Sequence, residues 1–205
     1  MCGRYNALTE EEMTQVRLMV HKFSMRLTRD DLKNYKTQKE VRPTDKAPTL
    51  TQNSDGVALT NSRFGFMRWD GRGVIINARA ETIKSKRTFS GLLSTNRCVV
   101  PASEYYEWKI KNNNEGKSKP SKIKYTIKDP DGNLLFFAGL YKDGDEGREF
   151  VIITKEPCGK AAEIHDRMPV CLKEEQVEKW LESELSPEDL VGLDFYTSVM
   201  PFENA

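Results

Sequence analysis

The stretch Arg97-Cys98-Val99-Val100-Pro101-Ala102-Ser103-Glu104-Tyr105-Tyr106-Glu107-Trp108-Lys109-Ile110 holds two β-type runs with a polar break between them. β-branched and aromatic side chains at this density favour an extended chain. The same pattern spreads outward. Val57-Ala58-Leu59, Arg63-Phe64-Gly65-Phe66-Met67 and Val74-Ile75-Ile76 precede it, and Lys124-Tyr125-Thr126-Ile127, Leu134-Leu135-Phe136-Phe137 and Phe150-Val151-Ile152-Ile153 follow. Asp129-Pro130-Asp131-Gly132-Asn133 reads as a turn, and the lysine-rich stretch after Ile110 reads as an exposed hairpin loop. Arg42-Pro43-Thr44 and Ala47-Pro48-Thr49 suggest a loop or an edge strand.

Helix signals lie toward the ends. Thr9 followed by Glu12 has the spacing of a capping box, and Met13, Val16, Leu18, Met19 and Phe23 give a rough apolar face. Leu27, Leu32 and Tyr35 are candidate anchors in an otherwise polar stretch. Glu174 to Glu182 places Val177, Trp180 and Leu181 together, and Pro187 opens a short last helix. The expected class is α+β: a single domain over residues 1–205, with a mostly antiparallel, barrel-like β core and peripheral helices.

The 205 residues are 38% hydrophobic and 31% charged, with a mean hydropathy of −0.65. That balance suits one folded domain and excludes bulk disorder. No apolar run has transmembrane length and the N-terminus lacks a signal-peptide core, so a cytoplasmic protein without membrane contact is expected. Cys2, Cys98, Cys158 and Cys171 form no CxxC pair, and there are only two histidines, so free thiols and no metal or other cofactor are expected. The net charge is +1, yet seven lysines lie between Lys109 and Lys128 against Glu115 alone, and nine acids follow Lys173. This asymmetry suits a local polyanion site rather than a polycation.

Four places are candidates for chemistry, each of which could equally be an ordinary structural residue. Removal of Met1 leaves Cys2 with an amine and a thiol on adjacent carbons, the pair that closes an aldehyde into a thiazolidine ring. Asn77 and Arg79 follow an apolar run and share one face of an extended chain, as an orienting amide and an anion grip. Glu107, between Tyr106 and Trp108, gains acid/base capacity near neutrality if buried. His165, beside Arg167, is a proton carrier or phosphate contact.

Taken in order, Met1-Cys2-Gly3-Arg4-Tyr5, Arg42-Pro43-Thr44, Ile76-Asn77-Ala78-Arg79-Ala80-Glu81, Arg97 to Ala102, Tyr106-Glu107-Trp108, Phe137-Ala138-Gly139-Leu140 and Ile164-His165-Asp166-Arg167-Met168-Pro169-Val170 resemble the SOS-response-associated peptidase (SRAP) family. The resemblance implies a barrel-like domain that acts as a monomer on abasic sites in single-stranded DNA. Cys2 would be the nucleophile, Asn77 would hold its reactive end, Glu107 would move protons and His165 would assist sugar ring opening. Arg4, Arg79 and Arg167 would hold phosphates, Trp69 would stack on or wedge against a base, and Pro43 and Thr154 would line the groove. Three departures stand out, the first being that Phe64-Gly65-Phe66-Met67-Arg68-Trp69 lacks the first Trp and the Pro of the family's segment and is one residue shorter. Glu40 and Arg42 lie ahead of Pro43 where the family has other residues, and Ser103-Glu104 replaces a usual glycine-bearing segment. Two other functions remain open: a thiol peptidase using Cys2, His165 and Glu107, with self-processing of its own N-terminus as one form, and a non-catalytic reader of modified DNA. Only the reader has no need of a cysteine at position two.

Overall fold

Alternating side chains that are apolar on both faces suit a sheet buried on both sides, and this chain closes such a sheet on itself. The computed structural model describes residues 2–6, 8–22, 27–30, 40–53, 56–111, 121–193, 195 and 197–202. In chain order, helix α1 (Glu10–Lys22) is followed by strands β1 (Leu27–Asp30), β2 (Lys46–Asn53), β3 (Gly56–Phe64), β4 (Phe66–Met67), β5 (Val74–Ile75) and β6 (Asn77–Arg79). A 3-10 turn (Ala80–Ser85) and α2 (Arg87–Ser90) lead to β7 (Arg97–Ala102), β8 (Glu104–Lys111), β9 (Ser121–Lys128), β10 (Leu135–Gly144) and β11 (Gly147–Lys155). A second 3-10 turn (Gly159–Glu163), β12 (Met168–Pro169), β13 (Cys171–Leu172), α3 (Glu174–Leu181), α4 (Pro187–Gly192) and β14 (Ser198–Pro201) complete the order.

Strands β3, β2, β7, β10 and β11 pair in that order, and β11 returns to β3 through Glu149↔Arg63 and Phe150↔Phe64. The sheet is thus a five-stranded closed barrel, as the α+β expectation anticipated. Side chains sort by alternation. Cys98, Val100, Phe137, Phe150 and Ile152 join the N-terminal Cys2 and Tyr5 in one buried cluster, which contains no helical residue. Their strand neighbours Val99, Ala138, Leu140, Val151 and Ile153 pack with Val16, Val177 and Trp180 of the helices. The first cluster fills the barrel and the second lies between barrel and helices. A three-stranded sheet, β14-β9-β8, lies outside this closure, and the turn at Asp129–Asn133 carries the chain from it to β10.

The helix starts follow the sequence. Thr9 and Glu12 cap each other's backbone N–H at 3.2 and 2.7 Å, and Pro187 stands in the first turn of α4 behind the Ser186 cap. Two expectations need correction. Leu18 is 62% exposed and Val20 is buried in its place. The apolar face of α1 is set by what packs beneath it, and Phe23, Leu32 and Tyr35 lie outside the described residues. The Ala47-Pro48-Thr49 stretch is an interior strand, not a loop or an edge, since β2 pairs with both β3 and β7. Proline is tolerated because β7 meets only Leu50 and Thr51, so Pro48 lies beyond that ladder and needs no N–H there. Gly65 links β3 to β4 at φ +107, and a Cβ there would sit 2.8 Å from the Val74 side chain. Only glycine fits this turn.

Candidate active site

The N-terminal segment lies along the edge of β8. Tyr106 donates its N–H to the Arg4 carbonyl at 2.9 Å, Asn6 donates to the Glu104 carbonyl at 2.8 Å, and Tyr5 bridges both Val41 and Tyr105. This pairing carries Cys2 into the barrel end, where it is fully buried. Asn77 reaches it from β6, which runs parallel to β11 at Ile152↔Asn77. Its Nδ2 donates to the Cys2 carbonyl at 3.3 Å and to the Ile152 carbonyl at 3.4 Å, while its Oδ1 is buried without a partner among the described residues.

Burial pushes the Cys2 thiol well above the usual range, and the charges of Glu107 and Cys171 add to this. The Arg4 backbone N–H works the other way. Such a thiol is poorly ionised and needs a base to take its proton. Glu107 is 3% exposed, and burial raises its carboxyl above the ordinary value although the nearby His165 pulls it down. His165 Nε2 stands 3.8 Å from Glu107 Oε2. Its Nδ1 accepts from the Arg167 backbone N–H at 3.1 Å and lies 2.8 Å from Asp166 Oδ1. A groove of ≈390 Å³ lined by Arg4, Glu107, Trp108, Lys122 and His165 opens beside these groups.

The cations divide into two kinds. Arg79 is exposed and makes no ion pair among the described residues. Arg4 stacks 5.0 Å above Trp108 and meets Glu40 at 3.2 Å. Arg167 is 8% exposed, with its two terminal nitrogens on the Glu81 carboxylate at 2.8 Å each and a third bond to the Thr154 carbonyl at 2.7 Å. The expected phosphate contact therefore starts from an arginine already engaged, whose buried Nε alone of the three guanidinium nitrogens lacks a partner among the described residues. Thr154 is buried opposite Arg79 in the β6–β11 pair, and its hydroxyl donates to the Ala78 carbonyl at 3.5 Å. Pro43 is half-buried in the Arg42–Asp45 turn, where Thr44 adopts φ 80. Trp69 is 96% exposed at the tip of the β4–β5 hairpin, which runs directly into β6. Neither Pro43 nor Trp69 lines the groove beside Glu107 and His165.

Four contributors escaped the sequence reading. Glu40 is shared by Arg4, Arg42 and Lys124; against the pull of burial, these cations hold its carboxyl below the usual range. Glu81 anchors Arg167. Trp108 forms a groove wall, and the Tyr105 hydroxyl is buried without a hydrogen-bond partner among the described residues. For Tyr105 the available signal was period-two alternation, which places it on the face of Glu107; that alternation places Trp108 on the opposite face and gives no sign of its part in the groove. Among the described residues no group of His, Cys, Asp and Glu is arranged to hold a metal, and no helix is long and apolar enough to cross a membrane.

The end of a closed β barrel thus gathers the second residue of the chain, Asn77, the buried Glu107 and His165. Residues 1–199 match the profile of the SOS response associated peptidase (SRAP) family, and the chain belongs to that family. It is 32% identical to the abasic site processing protein YoqW of Bacillus subtilis over 203 residues, covering 88% of this chain and 80% of that one. It is 29% identical to the abasic site processing protein YedK of Escherichia coli over 151 residues, 71% of this chain and 65% of the relative. In structure it resembles a phage-related protein of Bordetella bronchiseptica, with a TM-score of 0.76, 24% identity and coverage of 99% and 95% of the two chains. That likeness speaks for the fold.

Proposed function

We propose that this protein processes abasic sites in DNA by trapping them covalently in single strands through Cys2, once Met1 is removed. The observation that carries the proposal is the Asn77 bond to the Cys2 carbonyl, which holds the terminal residue beside Glu107 and His165. A non-catalytic reader of modified bases would have no use for a clamped second residue. A peptidase acting on other proteins would need an oxyanion hole, and the assigned groups do not supply one.

The chemistry runs in balanced steps. His165 moves a proton at the sugar so that the abasic ring opens to its aldehyde. The Cys2 amine adds to the aldehyde carbon, giving a carbinolamine. Glu107 in its protonated form, which burial favours, gives its proton to the carbinolamine hydroxyl, which leaves as water as the C=N bond forms. The resulting carboxylate takes the thiol proton, the sulfur attacks the iminium carbon, and the C=N electron pair returns to the nitrogen, which keeps its own proton. The product is a thiazolidine, with one water released and Glu107 restored. Arg79 and Arg4 hold backbone phosphates, Trp69 stacks on or wedges against a base, Pro43 and Thr154 shape the groove, and Arg167 supports it through Glu81 and Thr154. The working form is a monomer, and no cofactor takes part.

The test is the intact mass of the mature protein after mixing with an abasic single-stranded oligonucleotide. The expected product is the sum of the two masses less one water, and it is absent from Cys2→Ala. No adduct with the mature protein, or an equal adduct with Cys2→Ala, would overturn the proposal.

A further inference from the structure

The hairpin of β8 and β9 extends past the groove in a regular pattern. On the Trp108 face, Trp108 stands opposite Lys124, and one step outward Ile110 stands opposite Lys122. On the other face Lys109 stands opposite Ile123. Each pair therefore sets a flat or aliphatic group beside a lysine, repeating every two residues, or about 7 Å. Ile110 is 58% exposed and Ile123 37%. Two exposed isoleucines beside cations are not explained by packing, because nothing among the described residues covers them.

Charge points the same way. Most other cations near the groove are engaged. Lys124 meets Glu40 at 2.9 Å and lies 3.7 and 3.8 Å from the Tyr106 and Phe202 ring centroids. Lys109, Lys111 and Lys122 are exposed and make no ion pair among the described residues. Glu40 is a single carboxylate answering Arg4, Arg42 and Lys124, so this surface carries excess positive charge even before those three lysines are added. Lys122 also lines the groove with Glu107, Trp108 and His165, so the hairpin surface is continuous with the site.

We infer that this hairpin is a binding arm for the single-stranded DNA flanking the reacting nucleotide: Ile110, next to Trp108, lies under a base with Lys122 on a phosphate of the same face, and Lys109 and Lys111 reach phosphates from the opposite face, across the edge of β8. The inference rests on the proposed action on DNA and adds to it where the strand goes after leaving the groove. Alternation of cations with flat apolar groups suits a single strand, whose phosphates and unpaired bases are both accessible. It does not suit a duplex, whose base faces are hidden.

The test uses the triple variant Lys109→Gln, Lys111→Gln, Lys122→Gln, with the corresponding triple arginine variant to separate charge from fold. The probes are undamaged oligothymidines, one just long enough to fill the groove and one extended on both sides. Wild type should bind the longer strand more tightly and with a steeper salt dependence. The glutamine variant should lose that gain, and its log Kd against log salt should flatten by about 2. Between 50 and 200 mM salt its affinity should then fall about 20-fold less than that of wild type. The arginine variant should behave as wild type, and thermal stability should be unchanged in both. An unchanged salt slope in the glutamine variant, or a length gain only when the extension is duplex, overturns the inference. Crosslinking of a short abasic oligonucleotide should be equal in wild type and in the double variant Lys109→Gln, Lys111→Gln, whose residues do not line the groove. If neither crosslinks it, the proposed chemistry fails while the binding comparison still decides the arm.

Discussion

Replacing Glu107 by Gln should slow the chemistry and stabilise the protein at the same time. Glu107 is 3% exposed, lies between Tyr106 and Trp108 on β8, and has its carboxyl raised by burial. A raised carboxyl means the folded chain holds this proton at pH values where the unfolded chain has released it. Stability therefore falls as pH rises from the ordinary glutamate range near ~4.3 through the raised folded value, and stays lower above it. Glutamine has no charge to bury and escapes that loss. A poorly compensated buried charge costs about 1–3 kcal/mol, and the His165 ring 3.8 Å away offsets part of it. About 1–2 kcal/mol should be regained at pH 8, a rise in Tm of roughly 2–8 °C for a chain of this size. Near pH 4 the two proteins should melt together. Crosslink formation with an abasic oligonucleotide, and release into excess competitor, should each slow by about 10²–10⁴, the range for losing a positioned acid/base. Affinity for undamaged single strands should hold. The assays are melting curves across pH and denaturing-gel time courses in both directions. Wild-type rates in both phases, or a Tm gain independent of pH, would refute the argument.

Three further outcomes follow from the same geometry. Arg79→Ala should lower the salt slope of single-strand binding by about 0.7, one phosphate's worth, whereas Arg167→Met should leave the slope and cost about 2–3 kcal/mol by stranding the partly buried Glu81, seen as a Tm lower by about 4–10 °C. If Arg167→Met flattens the slope without changing Tm, Arg167 is a DNA ligand rather than a support. Trp69→Ala should weaken single-strand binding by about 1–3 kcal/mol with no change in Tm, because its ring is 96% exposed; titration by fluorescence anisotropy would reveal an unchanged affinity and exclude stacking. Gly65→Ala should cost about 2 kcal/mol or more, since it combines φ +107 with a 2.8 Å clash on Val74; urea unfolding at wild-type stability would show that the β3–β4 turn can relax.

The sequence by itself determined what depends on neighbours along the chain. Runs of β-branched and aromatic residues marked the strands, Thr9 with Glu12 marked the start of α1, and Pro187 marked α4. Cys2 stood out as a candidate nucleophile because such chemistry comes from being second, and the burial of Glu107 was legible because Tyr106 and Trp108 flank it. Contacts across long separations were not legible. The Arg63–Glu149 and Arg167–Glu81 pairs each span 86 positions, and no local period encodes such a partner. The availability of a charge is likewise a tertiary property. Arg79 and Arg167 look alike along the chain, yet Glu81 engages one and leaves the other open to solvent. Closure of β11 on β3, the burial of Val20 rather than Leu18, and the delivery of Cys2 to Asn77 were settled by packing. Strand alternation says which side chains share a face; only the closed barrel decides which face is inside and what waits there.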